Sequence, residues 1–276
     1  MANIKLLFIG DVVGNTGCAM FQKHIAHLKK DHAIDGVIVN GENSSSTGRG
    51  ITSRIVHFFK HNGADMITSG NHIFQQKEVY AHLDTKTNLL RPLNFPNGTP
   101  GTGVGFFTTK NNILVGVINV QGRVFMRELV SDPFRAVESA LTYVKSKTPI
   151  IFVDIHAETT AEKIAIAHFL DGQVSAVIGT HTHVQTADER VLPGGTAFMT
   201  DAGMVGSLNS MLGMKKEGIL HNFLTQMPAK FLVDDSLPVV MSGAVITIDA
   251  QNGKATKIER IRIVDQDVHI EKHEDK

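Results

Sequence analysis

Seven short apolar runs recur along this chain, and they restrict its fold more than any other feature. Each run has the length of one strand, most are rich in Val and Ile, and four of them end in Gly, Asn or Thr. Continuous apolar runs of this length are typical of strands that are covered on both faces. The runs span residues 4–10, 36–40, 64–69, 113–120, 149–155, 174–179 and 196–200.

Helix-length segments separate several of these runs. Residues 16–33 carry spaced apolar positions, and residues 131–147 open with Ser-Asp-Pro, which is typical of a capped helix start with proline in the first turn. In residues 159–171, Thr159 and Glu162 have the spacing of a capping box. The alternation of strands and helices predicts an α/β fold.

Two other segments predict antiparallel hairpins, so the sheets are expected to be mixed. Residues 104–122 have a turn at 110–112, and residues 238–264 have a turn at 251–253. Residues 88–103, rich in Pro, Gly and Asn, predict a surface loop. We find no linker, and expect one domain over 1–266 followed by a charged, frayed tail at 267–276.

Composition excludes several classes of protein. The chain has 27 Lys and Arg against 27 Asp and Glu, which disfavours stable binding to a nucleic-acid polymer. One cysteine indicates a reducing compartment, and no apolar run reaches the length of about 18 residues that spans a membrane. The first residues, MANIKLLFIGD, are typical of a strand and not of a signal peptide. A cytoplasmic protein is expected.

Polar residues follow five of the predicted strands at the point where each strand ends. In open α/β sheets, ligands bind beyond the carboxyl ends of strands, so these side chains are candidates for one site. Carboxylates, amide oxygens and imidazoles without a thiolate suit iron, manganese or zinc. The candidate metal ligands are Asp11, Glu42, Asn43, Asn71, His156, His181 and His183. They exceed the needs of one tetrahedral ion and suit two ions that share a carboxylate.

Each of these residues also has an ordinary structural interpretation. Asp11 fits a turn or helix cap, Asn43 and Asn71 fit turns, and His156 fits a buried histidine. Only their joint occurrence at five strand ends favours a metal site. The glycines at 10, 14 and 17 also suggest a phosphate cradle, but they match neither common nucleotide-binding fingerprint.

Six segments, in order, resemble the blocks of the YmdB-like family of calcineurin-like metallophosphoesterases. They are GDVVG, NGEN, SGNH, HAETTAEK, GTHTHVQTADER and TDAGM, and the resemblance covers about residues 4–265. It implies a sandwich of two mixed sheets flanked by helices, with a dinuclear centre that is often iron. The wider superfamily's D-x-H and GD-x-x-D motifs are absent here. The His of the first motif and the second Asp of the other are therefore not carried over as metal ligands.

The resemblance also implies a role for each candidate. Asp11, Asn43 and His183 would bind one ion, Asn71, His156 and His181 the other, and Glu42 would bridge both. His72, which follows Asn71, would be the proton donor. The implied reaction is hydrolysis of 2′,3′-cyclic nucleotides to nucleoside 3′-phosphates through attack by a metal-bridging hydroxide. Arg123 and the 202–216 segment are candidates for substrate contacts, although 202–216 equally fits an ordinary surface loop.

Two other functions stay open at this point. One is a phosphatase of another specificity, acting on phosphoproteins or phosphomonoesters. The other is a regulatory, RNA-related protein whose metal centre is mainly structural, although 6% aromatic residues and no tryptophan disfavour single-strand binding by stacking. The sequence also leaves the oligomeric state open, and a homo-oligomer is one of the alternatives.

Overall fold

Two mixed β-sheets face each other and helices cover both outer faces. The computed structural model describes residues 3–84 and 88–270. The strands are β1 (Asn3–Ile9), β2 (Asp11–Val12), β3 (Gly36–Asn40), β4 (Met66–Thr68), β5 (Val104–Thr108), β6 (Leu114–Gln121), β7 (Ile151–His156), β8 (Ala176–Thr180), β9 (Arg190–Val191), β10 (Ala197–Met199), β11 (Met204–Ser207), β12 (Val239–Asp249) and β13 (Ala255–Asp265). The helices are α1 (Gly14–Asp31), α2 (Ser53–His61), α3 (Val79–Leu83), α4 (Pro133–Lys145), α5 (Thr160–Phe169) and α6 (Lys216–Thr225).

The strand order confirms the expected α/β architecture with two mixed sheets. The first sheet runs β2-β11-β12-β1-β3-β4, and β13 pairs with β12. The second sheet runs β5-β6-β7-β8-β10-β9. Both predicted hairpins are present, β5 with β6 and β12 with β13, and they supply antiparallel pairs in each sheet.

The alternation of side chains along each strand divides the core into layers. On β1, Leu6 and Phe8 face the opposite sheet, whereas Leu7 and Ile9 face the helices. The Phe8 ring meets the Phe152 ring between the sheets, with centroids 4.9 Å apart. On β7 the same period of two places Asp154 and His156 on the inner face with Phe152, so the layer between the sheets becomes polar toward the end of this strand.

The three predicted helices are confirmed as α1, α4 and α5, with ends shifted by a few residues. The Asp132 side chain accepts a hydrogen bond from the Arg135 amide and caps α4, as Ser-Asp-Pro predicts. Among the helices of the described residues, none combines the length and the apolar character needed to cross a bilayer.

The predicted capping box at the start of α5 is wrong. The Thr159 side chain makes no capping hydrogen bond. The Glu162 carboxylate instead accepts hydrogen bonds from the amides of Arg123 and Val124, at 3.0–3.2 Å. These amides belong to the loop that follows β6, and a carboxylate engaged by that loop does not reach back to its own helix start.

Two segments that were expected at the surface are partly buried. Leu89 and Leu90 lie in the core because the Leu90 amide donates to the Ile67 carbonyl and extends the edge of the first sheet beside β4. Near the other end of the chain, the Lys23 ammonium donates to the Asp267 carbonyl, and Val268 is buried. The rest of the predicted tail, residues 271–276, lies outside the described residues.

The contact between the sheets predicts a large loss of stability for Phe152→Ala. Truncating a fully buried phenylalanine removes apolar burial and leaves a cavity, which typically lowers the free energy of unfolding by about 3–5 kcal/mol. Urea denaturation followed by circular dichroism measures this. Phe125→Ala, at a side chain that is 86% exposed, is the control and should change stability by no more than about 0.5 kcal/mol. Equal effects would mean that the inter-sheet contact contributes little.

Candidate metal centre

The eight predicted site residues come together where strands of the two sheets end. Asp11, Glu42 and Asn43 follow β1 and β3, and Asn71 and His72 follow β4. From the second sheet, His156 ends β7, while His181 and His183 follow β8. The residues from the first sheet contact those from the second, because Asp11 accepts a hydrogen bond from the His181 amide and Glu42 lies 3.1 Å from His156.

A buried polar layer lies beneath the cluster, on the inner faces of four strands, β3, β4, β7 and β8. The Asp154 carboxylate accepts hydrogen bonds from the side chains of Thr68, Thr180 (2.7 Å) and Asn40 (3.1 Å). Burial raises the pKa of Asp154 to about 7, although these three hydrogen bonds lower it. The layer fixes the Thr180 hydroxyl, because that hydroxyl gives its one proton to Asp154.

The Thr180 hydroxyl in turn sets the tautomer of His156. His156 Nδ1 lies 2.9 Å from Thr180 Oγ1, and a hydroxyl that already donates to Asp154 can only accept from this nitrogen. Burial holds the pKa of His156 well below its usual range, so the ring is neutral. The proton is therefore on Nδ1, and the lone pair of Nε2 points into the site.

Three further groups converge on that lone pair. His156 Nε2 lies 3.1 Å from Glu42 Oε1, 3.1 Å from Asn71 Oδ1 and 3.0 Å from His181 Nδ1. Burial lowers the pKa of His181 to about 3, and a second neutral imidazole therefore joins a carboxylate and an amide oxygen. Ligand atoms of Glu42, His156 and His181 lie within 4.8 Å of one another. His181 Nε2 lies 3.2 Å from Glu158 Oε2, and a hydrogen bond there places the ring proton on Nε2 and leaves the Nδ1 lone pair facing the cluster. Such facing lone pairs suit a cation, and nitrogen and oxygen donors suit a borderline divalent metal.

A second group of unpartnered atoms surrounds Asp11. His183 Nδ1 donates to the Leu212 carbonyl at 2.9 Å, which turns the Nε2 lone pair toward Asp11 Oδ1, 3.8 Å away. Asn43 donates a hydrogen bond from its side-chain amide to the Gly48 carbonyl. The side-chain oxygens Asp11 Oδ1 and Asn43 Oδ1 are buried, and no other described residue offers them a hydrogen bond.

These orphaned acceptors fit a second metal ion. Burial raises the pKa of Asp11 well above its usual range, and the nearby Glu42 and Asp201 charges add to the effect. A buried acceptor left without a partner is unfavourable, and a bound cation removes that cost. The donor set of both groups therefore fits metal binding.

Gly70 allows the loop after β4 to pass close to the cluster. A Cβ atom at this position would lie 2.2 Å from His156 Cδ2 and 2.4 Å from Glu42 Oε2. No side chain fits there without displacing both residues, so the glycine of the SGNH segment is required by close approach.

A cavity of about 280 Å³ opens above the cluster. His72 lines it, and its backbone amide donates to Glu42 Oε2 at 3.2 Å. Its Nδ1 is buried and has no hydrogen-bond partner within residues 3–84 and 88–270. Burial lowers the pKa of His72, while the charge of Glu42 raises it. The cavity is further lined by Glu42, Asn43, Gly48, Arg49, Glu158, His181, Thr182, His183, Leu212 and Met214.

The sequence reasoning assigned no role to several of these residues. Arg49 and Glu158 line the cavity, and Asn40 and Thr180 support the cluster from below. The period of two along β7, which places Asp154 on the same face as His156, is a signal that could have revealed the supporting layer.

Two predicted substrate contacts have different outcomes. Arg123 is not among the residues that line the cavity, and its guanidinium pairs with Asp132 at 3.2 Å. Leu212 and Met214 are the part of 202–216 that reaches the cavity.

Relatives of known sequence and structure match this chain over almost its full length. A family model described as "YmdB-like protein" matches residues 7–261. The chain belongs to the YmdB-like family. A Bacillus subtilis (strain 168) relative named 2′,3′-cyclic-nucleotide 2′-phosphodiesterase is 46% identical over 97% of this chain and 100% of its own length.

Two solved structures of relatives share the fold. A hypothetical protein from Thermus thermophilus has a TM-score of 0.87 at 36% identity, covering 95% of this chain and 100% of its own. A Mycoplasma pneumoniae protein described as a novel phosphatase has a TM-score of 0.89 at 34% identity, covering 97% and 95%. The two-sheet sandwich expected from the resemblance is therefore confirmed.

The Glu42 carboxylate lies among the lone pairs of the cluster, and its position predicts that Glu42→Gln weakens metal binding. The substitution keeps the shape of the side chain but removes a negative charge from the centre of the cluster. Metal analysis by inductively coupled plasma mass spectrometry should show fewer ions per chain than in the wild type. Glu138→Gln on the surface of α4 is the matched control and should bind as the wild type does. Unchanged metal content in Glu42→Gln would contradict a metal role for this carboxylate.

Proposed function

We propose that this chain is a metal-dependent phosphodiesterase that hydrolyses 2′,3′-cyclic nucleotides and leaves nucleoside 3′-phosphates. The observation that carries the proposal is the 46% identity to the Bacillus subtilis enzyme of that name across that enzyme's full length. The cluster of Glu42, His156 and His181 supports it, because these groups fit the metal that such a reaction uses. Assay of a 2′,3′-cyclic nucleotide with product identification tests it.

We assign seven residues to two metal ions. Asn71, His156 and His181 would hold one ion, and Glu42 would lie between the two. The other ion would be held by Asp11, Asn43 and His183. Iron fits this set of oxygen and nitrogen donors, and manganese and zinc are the alternatives. Such ions, when bound, activate water and neutralise charge on a phosphoryl group.

We assign the proton transfer to His72. Opening the 2′ bond expels a ribose oxygen, which is a poor leaving group unless it is protonated. His72 lines the cavity, and its backbone amide donates to Glu42, so the ring lies beside the proposed metal ligands. An anionic phosphate beside the ring would favour the protonated form and oppose the effect of burial on its pKa.

We assign recognition of the phosphate to Arg49, a guanidinium at the rim of the cavity. The backbone around it is tightly held, because the Arg49 carbonyl accepts hydrogen bonds from Ser45 Oγ at 2.7 Å and Gln76 Nε2 at 2.9 Å. A fixed backbone reduces the entropy lost when the side chain binds an anion, and the planar guanidinium suits phosphate oxygens.

We place the protein in the cytoplasm and expect no stable complex with a nucleic-acid polymer. The single cysteine, Cys18, is buried, and a chain with one cysteine suits a reducing compartment. The equal numbers of acidic and basic residues give no excess of positive charge for phosphate backbones.

A phosphomonoesterase is the second candidate function. The observation in its favour is the Mycoplasma pneumoniae structure, which is described as a novel phosphatase and matches at a TM-score of 0.89. A panel of cyclic nucleotides, nucleoside monophosphates and phosphopeptides distinguishes the two. Turnover of monoesters at rates above those of the cyclic diesters would favour this alternative.

His72→Ala should lower turnover of 2′,3′-cyclic nucleotides by about 10²–10⁴-fold, because the departing ribose oxygen loses its proton donor. The loss should be much smaller for a p-nitrophenyl phosphodiester, whose leaving group departs without a proton. Steady-state kinetics on both substrates measures this, with metal content as the control, since His72 is not proposed as a ligand. Equal losses on both substrates would overturn the assignment.

Arg49→Ala should lower kcat/KM for a 2′,3′-cyclic nucleotide by about 10–100-fold, since a hydrogen bond to a charged group contributes about 1.5–3 kcal/mol. Inhibition by inorganic phosphate should weaken in parallel, and Arg49→Lys should recover part of the loss. Arg135→Ala on the exposed face of α4 is the matched control. An unchanged inhibition constant for phosphate would contradict this role.

A further inference from the structure

Two residues that the reaction has not used meet beneath the loop that carries His181 and His183. They are Lys163, which lies in α5 at the end of the segment HAETTAEK, and Asp201 of the segment TDAGM. Lys163 Nζ lies 2.7 Å from Asp201 Oδ2, and the side chains are 0% and 1% exposed. Lysine is almost never fully buried unless it is paired, so the burial of Lys163 depends on this contact with Asp201.

The Asp201 carboxylate is surrounded by donors from three parts of the chain. Oδ2 accepts from Lys163 Nζ, from the Thr182 amide at 3.1 Å and from the Thr182 hydroxyl at 2.8 Å. Oδ1 accepts from the Gly203 amide at 2.8 Å. Thr182 is the residue between His181 and His183, so Asp201 fixes the link between two proposed metal ligands.

The loop held by Asp201 has an unfavourable backbone conformation. His181 has φ = 99° and His183 has φ = 64°, both in the left-handed region that residues with a Cβ atom seldom adopt. Such conformations persist only where surrounding contacts determine them. The two hydrogen bonds from Thr182 to Asp201 are contacts of this kind, placed between the two strained residues.

The same carboxylate also reaches the loop that carries Asp11. The Gly203 amide donates to Asp201, and the Gly203 carbonyl accepts a hydrogen bond from the Asp11 amide at 3.0 Å. Asp11 Oδ2 then accepts from the His181 amide at 3.2 Å. Asp201 therefore links the backbone of Asp11 to the backbone of the two histidines, and Lys163 supplies the positive charge that a buried carboxylate needs.

We propose that Lys163 and Asp201 form a positioning pair that sets the spacing of Asp11, His181 and His183, and thereby controls metal affinity and turnover without touching substrate. The turnover part rests on the proposed function. The metal part does not, because it concerns only the geometry of the three side chains.

Removing one partner leaves an unpaired buried charge, so a single variant can fail through loss of folding. The informative variant is Lys163→Met with Asp201→Asn, which removes both charges and keeps the side chains close to their original size. Removing both charges together avoids the unpaired buried charge that either single variant leaves. Asp201→Asn by itself, with thermal melting as the readout, reports the cost of the unpaired lysine.

The test titrates metal-stripped full-length protein with Mn²⁺ by isothermal titration calorimetry and measures steady-state kinetics on a 2′,3′-cyclic nucleotide. We expect the double variant to melt close to the wild-type temperature, to bind Mn²⁺ about 10–100-fold more weakly, and to lose kcat with KM unchanged. Lys23→Met with Asp265→Asn, an ion pair on the surface at α1, is the matched control and should change neither.

Wild-type Mn²⁺ affinity in a folded double variant would overturn the proposal, because the pair would then be only a structural contact. Absence of cyclic-nucleotide hydrolysis in the wild type would overturn the proposed function instead, and the Mn²⁺ titration would still decide the role of the pair.

Discussion

The site depends on one hydrogen-bond chain, which runs from Asp154 through the Thr180 hydroxyl to His156 Nδ1. It fixes the tautomer of His156 and turns the Nε2 lone pair toward Glu42, Asn71 and His181. Without that chain, the proton of the neutral ring would be free to lie on Nε2 and to bond to Glu42, and the groups would form an ordinary buried hydrogen bond. Partners behind a metal ligand commonly set its orientation in this way.

The sandwich makes this chain possible because it covers the polar layer from both sides. Asn40 comes from the first sheet, while Asp154 and Thr180 come from neighbouring strands of the second. Their inner faces continue the apolar layer in which Phe8 meets Phe152. The low-polarity surroundings raise the pKa of Asp154 and lower that of His156, and both effects follow from burial.

Much of the fold could be predicted from short-range patterns. The apolar runs, both hairpins and the Asp132 cap depend on residues close together in sequence, and the structure contains all of them. The predicted capping box is wrong because Glu162 binds amides 38 and 39 residues away. Leu89 and Leu90 are buried for a similar reason, since a loop composition does not reveal that the backbone will pair with Ile67.

By itself, the sequence determined which residues stand at the strand ends, because a strand that ends in Asp, Asn or His places that side chain at the edge of a parallel sheet. Only the tertiary structure decided which lone pairs face one another and which groups support them. Within its helix, Lys163 resembles a surface residue, and it is buried only because α5 packs over the loop that contains Asp201. Hydrogen-bond direction and burial depend on distant neighbours, and local residue patterns do not specify those contacts.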